Sequence, residues 1–298
     1  MILSASYKTD LPALYGEWFL NRLRAGYCLV PNPYSGRPFR VSLTRDSVDG
    51  IVFWTRNLGP FLPRLDEVHR LGYPFVIQFS ITGYPRELES GVIEASRAVE
   101  QLRQAAERYG PRVCVWRYDP IVDTSLTPRA FHTETFARLA GELEGATDEV
   151  VLSFAQLYGK TRRGLERAAR ADGLIWSDPA DEWKRALAAE LAGIARGRGM
   201  RLTVCGQPAL VPPGCAPARC IDAGRLSDVA GRPILARERP HRKECGCYES
   251  KDIGAYDTCP QGCVYCYAVS SIERARANLR ARDPTAESLG ALRRPSIP

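Results

Sequence analysis

Several signatures that assign a function directly are missing from this chain of 298 residues. There is no Gly-rich phosphate loop of the Walker or dinucleotide type and no Gly-x-Ser-x-Gly elbow, so a nucleotide must be held by other means. Histidine is scarce. The three present, His69, His132 and His241, are too few and too scattered for a His-based metal site. His69 and His132 fall in expected helices and are expected at the surface, while His241 lies close to a cysteine pair and is at most a backup ligand. No apolar run approaches membrane-spanning length. Ile2-Leu3-Ser4-Ala5 follows no basic n-region and opens no long apolar h-region, which reads as the absence of a secretory signal. A cytoplasmic location with no membrane partner is the expectation. Low-complexity runs are absent, as are internal repeats beyond a strand-helix rhythm.

Cysteine, by contrast, is plentiful. Ten cysteines with no sign of secretion read as metal ligands and buried thiols rather than a disulfide framework. Three fall inside eight residues, Cys259-Pro260-Gln261-Gly262-Cys263-Val264-Tyr265-Cys266. With three and then two residues between them they can converge on one side of a tight loop, and Gly262 frees the backbone to fold back. Closed structural zinc takes four protein ligands, whereas a four-iron cluster on three cysteines leaves one iron open to a small molecule. A zinc knuckle of Cys245, Cys247, Cys263 and Cys266 is the competing reading, but it leaves Cys259 idle. Basic residues exceed acidic ones by 41 to 34, a formal charge of +7 that modestly favours anionic partners.

From residue 1 to about 205, strand-like and helix-like stretches alternate. Six strands are expected, at Ile2 to Ala5, Ile51 to Trp54, Phe75 to Ser80, Arg112 to Trp116, Val150 to Phe154 and Arg201 to Val204, with Tyr27 to Val30 as a short extra one. Apolar spacings mark helices around Trp18, Leu65, Leu102, Phe136 and Leu191. A turn is expected at Ser35-Gly36-Arg37-Pro38, and Thr127-Pro128 reads as an N-cap and first helical residue. Parallel neighbours need a crossover, and here each crossover is helical, so the class is α/β with a parallel sheet, either a partial (β/α) barrel or an open doubly wound sheet. Residues 206–298 change texture to Pro, Gly and Cys, and read as an irregular metal- or cluster-binding segment with a polar helix and tail from Ile272, packed on the mouth of a 1–205 barrel.

Four further cysteines fit a second site of four thiolates, for zinc or an auxiliary iron–sulfur cluster: Cys205, Cys220, Cys245 and Cys247, with Cys215 able to replace Cys220. Cys28 and Cys114 sit inside strands and read as inert buried thiols. Ligands of parallel sheets bind beyond the C-terminal strand ends. That rule selects Ser6 and Asp10, then Thr55, Arg56 and Asn57, then Gln78, then Arg117, Tyr118 and Asp119, and Ser153. Arg117 and Asp119 make the best pair, since arginine offers a rigid fork to a carboxylate and aspartate orients a hydroxyl or amine. The bland alternative is a salt bridge across the mouth.

The loop spacing, with an aromatic before the third cysteine, resembles that of radical S-adenosylmethionine (SAM) enzymes, and Gly-Cys-Val-Tyr-Cys-Tyr is most similar to the loops of spore photoproduct lyase relatives. Over a longer span the chain resembles domain-of-unknown-function family 1848, through Ser4-Ala5-Ser6, Thr9-Asp10, Asn32-Pro33, Phe53-Trp54-Thr55-Arg56-Asn57, Trp116-Arg117-Tyr118-Asp119-Pro120 and Cys245-Gly246-Cys247 onward to Ala268. The radical SAM resemblance implies a partial barrel, a [4Fe-4S] cluster on Cys259, Cys263 and Cys266, SAM on its open iron, and an electron donor such as a flavodoxin or ferredoxin. Gln78 and Ser153 would then join the cofactor-binding residues, and Asp10, Asn57, Arg117 and Asp119 would face the reacting groups. The family pattern Cys-Ile-Asp favours Cys220 over Cys215. Unlike the usual radical SAM arrangement, which carries the loop after the first strand, this chain carries it near the end. The implied activity is a radical iron–sulfur enzyme acting on a small-molecule or nucleic-acid substrate. The alternative is a zinc- or cluster-binding structural or nucleic-acid-interacting protein without radical chemistry.

Overall fold

In the computed structural model, residues 1–32, 37–242 and 244–290 are described. Pro33 of the Asn32-Pro33 mark, Ser35 and Gly36 of the turn expected at Ser35-Gly36-Arg37-Pro38, and the last eight residues lie outside them. Eight parallel strands form one sheet. In chain order they are β1 (Ile2–Ala5), β2 (Gly50–Thr55), β3 (Phe75–Ser80), β4 (Cys114–Ile121), β5 (Glu149–Phe154), β6 (Arg201–Val204), β7 (Ala216–Pro217) and β8 (Ser250–Asp252). The helices are α1 (Gly16–Ala25), α2 (Leu62–Arg70), α3 (Ala95–Tyr109), α4 (Arg129–Glu142), α5 (Gly159–Asp172), α6 (Asp181–Gly197), α7 (Ala223–Ala230) and α8 (Ile272–Arg280), preceded by a single turn at Leu11–Leu14.

Spatial order runs β7-β6-β5-β4-β3-β2-β1-β8, so every sequential pair from β1 to β7 is adjacent and β8 returns to the far side of β1. Among the described residues no strand pairing joins β7 to β8. Side chains alternate across each strand. One face, with Leu3, Phe53, Phe79, Trp116, Leu152 and Val204, packs against the crossover helices. Phe53 sits among Phe19, Phe61 and Phe75 with ring centroids 5.1 to 5.8 Å apart, contacts worth about 0.5–1.5 kcal/mol per pair beyond area burial. The other face carries Ile2, Val52, Val76, Val115 and Val151, and it is covered by α7 and the cysteine-rich run rather than by crossover helices.

Three expectations need correction. The sheet has eight strands rather than about six, because the segment beyond residue 205 contributes β7 and β8 and also folds a helix, α7. Strands of two and three residues are too short to carry a period of two. His132 is fully buried, not at the surface. Its Nδ1 faces the Tyr118 hydroxyl at 3.1 Å and its Nε2 faces the Val122 carbonyl at 3.2 Å. Helix α4 begins at Arg129 with Pro128 as its cap residue and no side-chain cap bond. Tyr27–Pro31 pairs antiparallel with Pro38–Ser42 outside the main sheet. Among the described residues no helix is long and apolar enough to cross a membrane.

Candidate functional site

After β8 the chain doubles back and the three-cysteine loop is stitched to the connections that follow β3 and β5. The Val264 N–H donates to the Leu88 carbonyl at 3.0 Å and the Gly91 N–H to the Gln261 carbonyl at 2.8 Å. Thr161 of α5 donates its hydroxyl to the Tyr265 carbonyl at 3.2 Å. Both connections leave the C-terminal ends of their strands, so the loop sits at that end of the sheet. The approach is close enough to require glycine. A Cβ on Gly164 would lie 1.9 Å from the Val264 carbonyl oxygen, and one on Gly262, whose φ is +75°, would lie 2.1 Å from Ser90 Oγ.

Cys259, Cys263 and Cys266 are partly exposed, and all three line one cavity of about 530 Å³, walled also by α5, residues 86–90 and the start of α8. Burial, and then the nearby Asp10 carboxyl, push the Cys259 thiol up to about 12. Burial likewise raises Cys263, against the opposing pull of Arg56. The Cys259 and Cys263 thiols are therefore neutral at physiological pH, and a metal binding here must displace their protons.

Two polar residues hold the loop from behind. Asp10 accepts from Thr55 Oγ1 at 2.8 Å, the Arg56 N–H at 2.8 Å, the Ala13 N–H at 3.0 Å and Gln261 Nε2 at 3.2 Å. Burial raises its pKa and these donors act in the opposite sense. Arg56 donates to Glu89 at 2.7 Å and to the Tyr265 hydroxyl at 2.7 Å, and Tyr265 in turn hydrogen-bonds Glu89. Burial works against the Arg56 charge, but the Glu89 carboxylate beside it keeps its pKa well above the ordinary arginine value.

The other four cysteines meet as well. Cys220 Sγ lies 3.3 Å from Cys205 Sγ, and Cys247 contacts both Cys220 and Cys245. The Ile221 N–H donates to Cys247 Sγ at 3.4 Å. Two guanidinium groups point at the sulfurs: Arg117 at Cys220 (3.0 Å) and Arg242 at Cys205 (3.3 Å). Cys245 is pulled down to about 6, chiefly by its hydrogen bond with Cys247. Cys215 stands apart, half-buried near Arg196. The contacts run in a chain, and among the described residues no three of His, Cys, Asp and Glu close around one point at metal distances. Cys28 and Cys114 are buried in the core.

The predicted polar residues divide between these two cysteine sets. Arg117 gives Nε and Nη2 to Asp119 Oδ2 at 3.0 and 2.6 Å and Nη1 to Gln78 Oε1 at 3.1 Å. Ser153 donates to the other Asp119 oxygen, and Gln78 Nε2 donates to the Cys220 carbonyl at 3.0 Å. Gln78, Arg117, Asp119 and Ser153 are thus one network against Cys205 and Cys220. Burial opposes ionisation of Asp119, and Arg117 outweighs it, holding the carboxyl below its usual range. Arg56 connects the two halves, reaching the Asp119 carbonyl at 3.4 Å. Asn57 joins neither, because its Oδ1 accepts from Gln101 of α3 at 3.0 Å and from the Gly59 N–H at 3.2 Å. Ser6 and Ser4 donate to Asp252 of β8 at 2.8 Å each, fastening that strand to β1.

Sequence reasoning missed Glu89, Arg242 and helix α5. Glu89 is a lone acid in a loop and Arg242 lies in an aperiodic stretch, so only the fold brings either to the site. Helix α5 buries few side chains, chiefly Thr161, Leu165 and Ala168, too few for an evident apolar stripe.

Residues 2–268 match a family described as a domain of unknown function (DUF1848), a span that contains both cysteine sets. No curated protein matches the chain.

Proposed function

Because the chain belongs to the DUF1848 family, whose function is unknown, its activity has to be argued from the site, and we propose that it is an iron–sulfur enzyme of the radical SAM type acting on an unidentified substrate. Cys259, Cys263 and Cys266 would hold a [4Fe-4S] cluster. The observation that carries this reading is the glycine-locked loop that brings three cysteines, and no fourth, into the wall of one cavity at the C-terminal end of a parallel sheet. The donor set fits such a group. A single zinc at about 2.3 Å from each sulfur needs thiolates in mutual contact, whereas in a cluster each thiolate meets its own iron, and the sulfurs need not touch.

When bound, the cluster would supply one electron to SAM and so open a carbon–sulfur bond. The chain's own part is placement and exclusion of water. Asp10 holds Gln261 in the loop, while Glu89 and Arg56 fix Tyr265 between the second and third cysteines. Arg117, Asp119, Gln78 and Ser153 form the floor beside the second cysteine set, where Asp119 presents a partly buried, ionised carboxylate. Strand adjacency from β1 to β7 and crossover helices on one face support a partial (β/α) barrel as the frame.

Cys205, Cys220, Cys245 and Cys247 would form a second, closed centre of zinc or an auxiliary cluster. Four thiolates on a divalent ion carry a net charge of about −2, which Arg242 and the Asp119-paired Arg117, both aimed at the sulfurs, offset in part. This set also favours the alternative reading, metal in a purely structural role.

Anaerobic reconstitution tests the proposal. The expected product binds about four iron and four sulfide more than its Cys259→Ala/Cys263→Ala/Cys266→Ala variant, and after reduction cleaves SAM, with a flavodoxin- or ferredoxin-type donor able to replace the chemical reductant. Zinc uptake without cluster absorption, or iron uptake unaffected by the triple variant, overturns it.

A further inference from the structure

We infer that the groove between α5 and α8, over the three cysteines, is a binding surface for single-stranded nucleic acid. The two helices that flank the cavity carry eight basic side chains against three acidic ones, a net +5 where the whole chain carries +7. Not all of this charge faces the groove, since Arg162 lies over the Trp176 ring and Arg274 pairs with Asp257. Lys160, Arg163, Arg167 and Arg276 line the cavity itself, together with Glu87 and Asp172, and Arg86 joins them while paired to Glu94. Glu273 lies near Arg167 and Arg276. The lining thus carries five basic groups against two acidic ones, with Glu94 and Glu273 as further acids at its rim.

Charge alone fits any polyanion, but three exposed tyrosines that adjoin the lining residues Lys160 and Cys266, outside the cavity wall itself, narrow the class. Lys160 and Lys8 both stand by the ring of Tyr256, with their nitrogens 5.2 and 5.5 Å from its centroid. Tyr256, Tyr158 and Tyr267 are 45%, 45% and 43% exposed, and Tyr158 meets Tyr267 edge to face with ring centroids 6.5 Å apart. Tyr267 follows Cys266 directly in the chain. Exposed phenol rings next to a basic groove are the combination that stacks unpaired bases while cations follow the phosphates. A duplex offers no free base faces to such rings, so the single strand is the better fit. As a substrate assignment this rests on the three-cysteine loop being the reaction centre; as a binding surface it stands without that.

The probe is a fluorescently labelled single-stranded DNA of about ten nucleotides, with its RNA counterpart, a matching duplex and a mononucleotide as separate arms. Four phosphate contacts predict that log affinity falls with log salt at a slope of about 2.8, from about 0.7 per contact on a single strand. Arg163→Gln/Arg167→Gln, both at exposed positions, should reduce that slope by about 1.4. Tyr256→Ala should weaken binding by between about five-fold and about 150-fold. Iron content of the arginine variant should match wild type, and Cys259→Ala/Cys263→Ala should keep the salt slope while losing iron, so failure of the groove and failure of the cluster reading give different results. Binding without a salt slope, a wild-type slope in the arginine variant, tighter binding of the duplex, or equal competition by the mononucleotide each overturns the assignment.

Discussion

His132 has no place in the proposed chemistry, yet its surroundings dictate its protonation. A carbonyl only accepts, so the Val122 oxygen selects the Nε2–H tautomer and leaves Nδ1 to accept from the Tyr118 phenol. Burial disfavours the imidazolium and lowers the pKa to about 4. The unfolded chain, with an ordinary value near 6.5, binds the proton first as pH falls. The stabilisation is therefore complete above about pH 6.5 and is lost as pH falls towards about 4, by about 3 kcal/mol. Denaturant unfolding of wild type and His132→Gln across that range should show the difference in stability closing by about this amount. A gap that stays constant with pH would mean that His132 takes up its proton at the same pH in the folded and unfolded chain. The sequence carried no sign of this burial: position 132 looks like any polar residue of a helix until Tyr118 and Tyr84 are seen around it.

Helix α5 is the element on which the three-cysteine loop is seated, and Gly164 is where the two backbones come closest. Gly to Ala inside a helix ordinarily gains roughly 0.5–1 kcal/mol. At Gly164 the added carbon meets the Val264 carbonyl oxygen at 1.9 Å, whereas at Gly193 of α6 nothing lies within 4 Å. Gly193→Ala should therefore stabilise slightly, and Gly164→Ala should displace the loop while helix content by circular dichroism stays unchanged. The readouts are protease cutting between residues 257 and 269 and iron uptake on reconstitution, which should drop to the level of the three-cysteine variant. Intact uptake in Gly164→Ala would show that the loop is not held by α5. The contrast explains what was legible at this scale. Strands β1 to β6 announce themselves through short apolar runs inside strands four to eight residues long, and the cysteine spacing is visible in the letters. The partner of the loop is not, because α5 is almost all charge and alanine, and its one informative residue is a glycine whose neighbour lies 100 positions away in sequence.

Across the whole molecule, the parallel sheet has two edges, β7 on one side and β8 on the other, and the second cysteine set spans them. Cys205 and Cys220 belong to the β6–β7 side, while Cys245 and Cys247 lead into β8. The Tyr248 N–H also bonds the Ile221 carbonyl at 3.0 Å, so backbone and sulfur contacts run side by side across the gap. The segment between residues 206 and 258 buries one sheet face with little more than Ala218, Ile221, Ala223, Leu226, Ile234 and its cysteines. The opposite core draws almost wholly on residues before 205, with Leu210 and Ile253 as late additions. Cys245→Ala/Cys247→Ala should therefore loosen the covering segment as a unit, since lost ligands remove the metal free energy that orders it. Limited proteolysis is expected to cut between about residues 206 and 258 and leave residues 1–205 as a stable fragment. Chelation of the wild type should reproduce the pattern if metal, rather than thiol packing, supplies the grip. Equal loss of both parts would instead show that the sheet and its cover unfold together, with Asp252 and its bonds to Ser4 and Ser6 as the connection that makes them one unit.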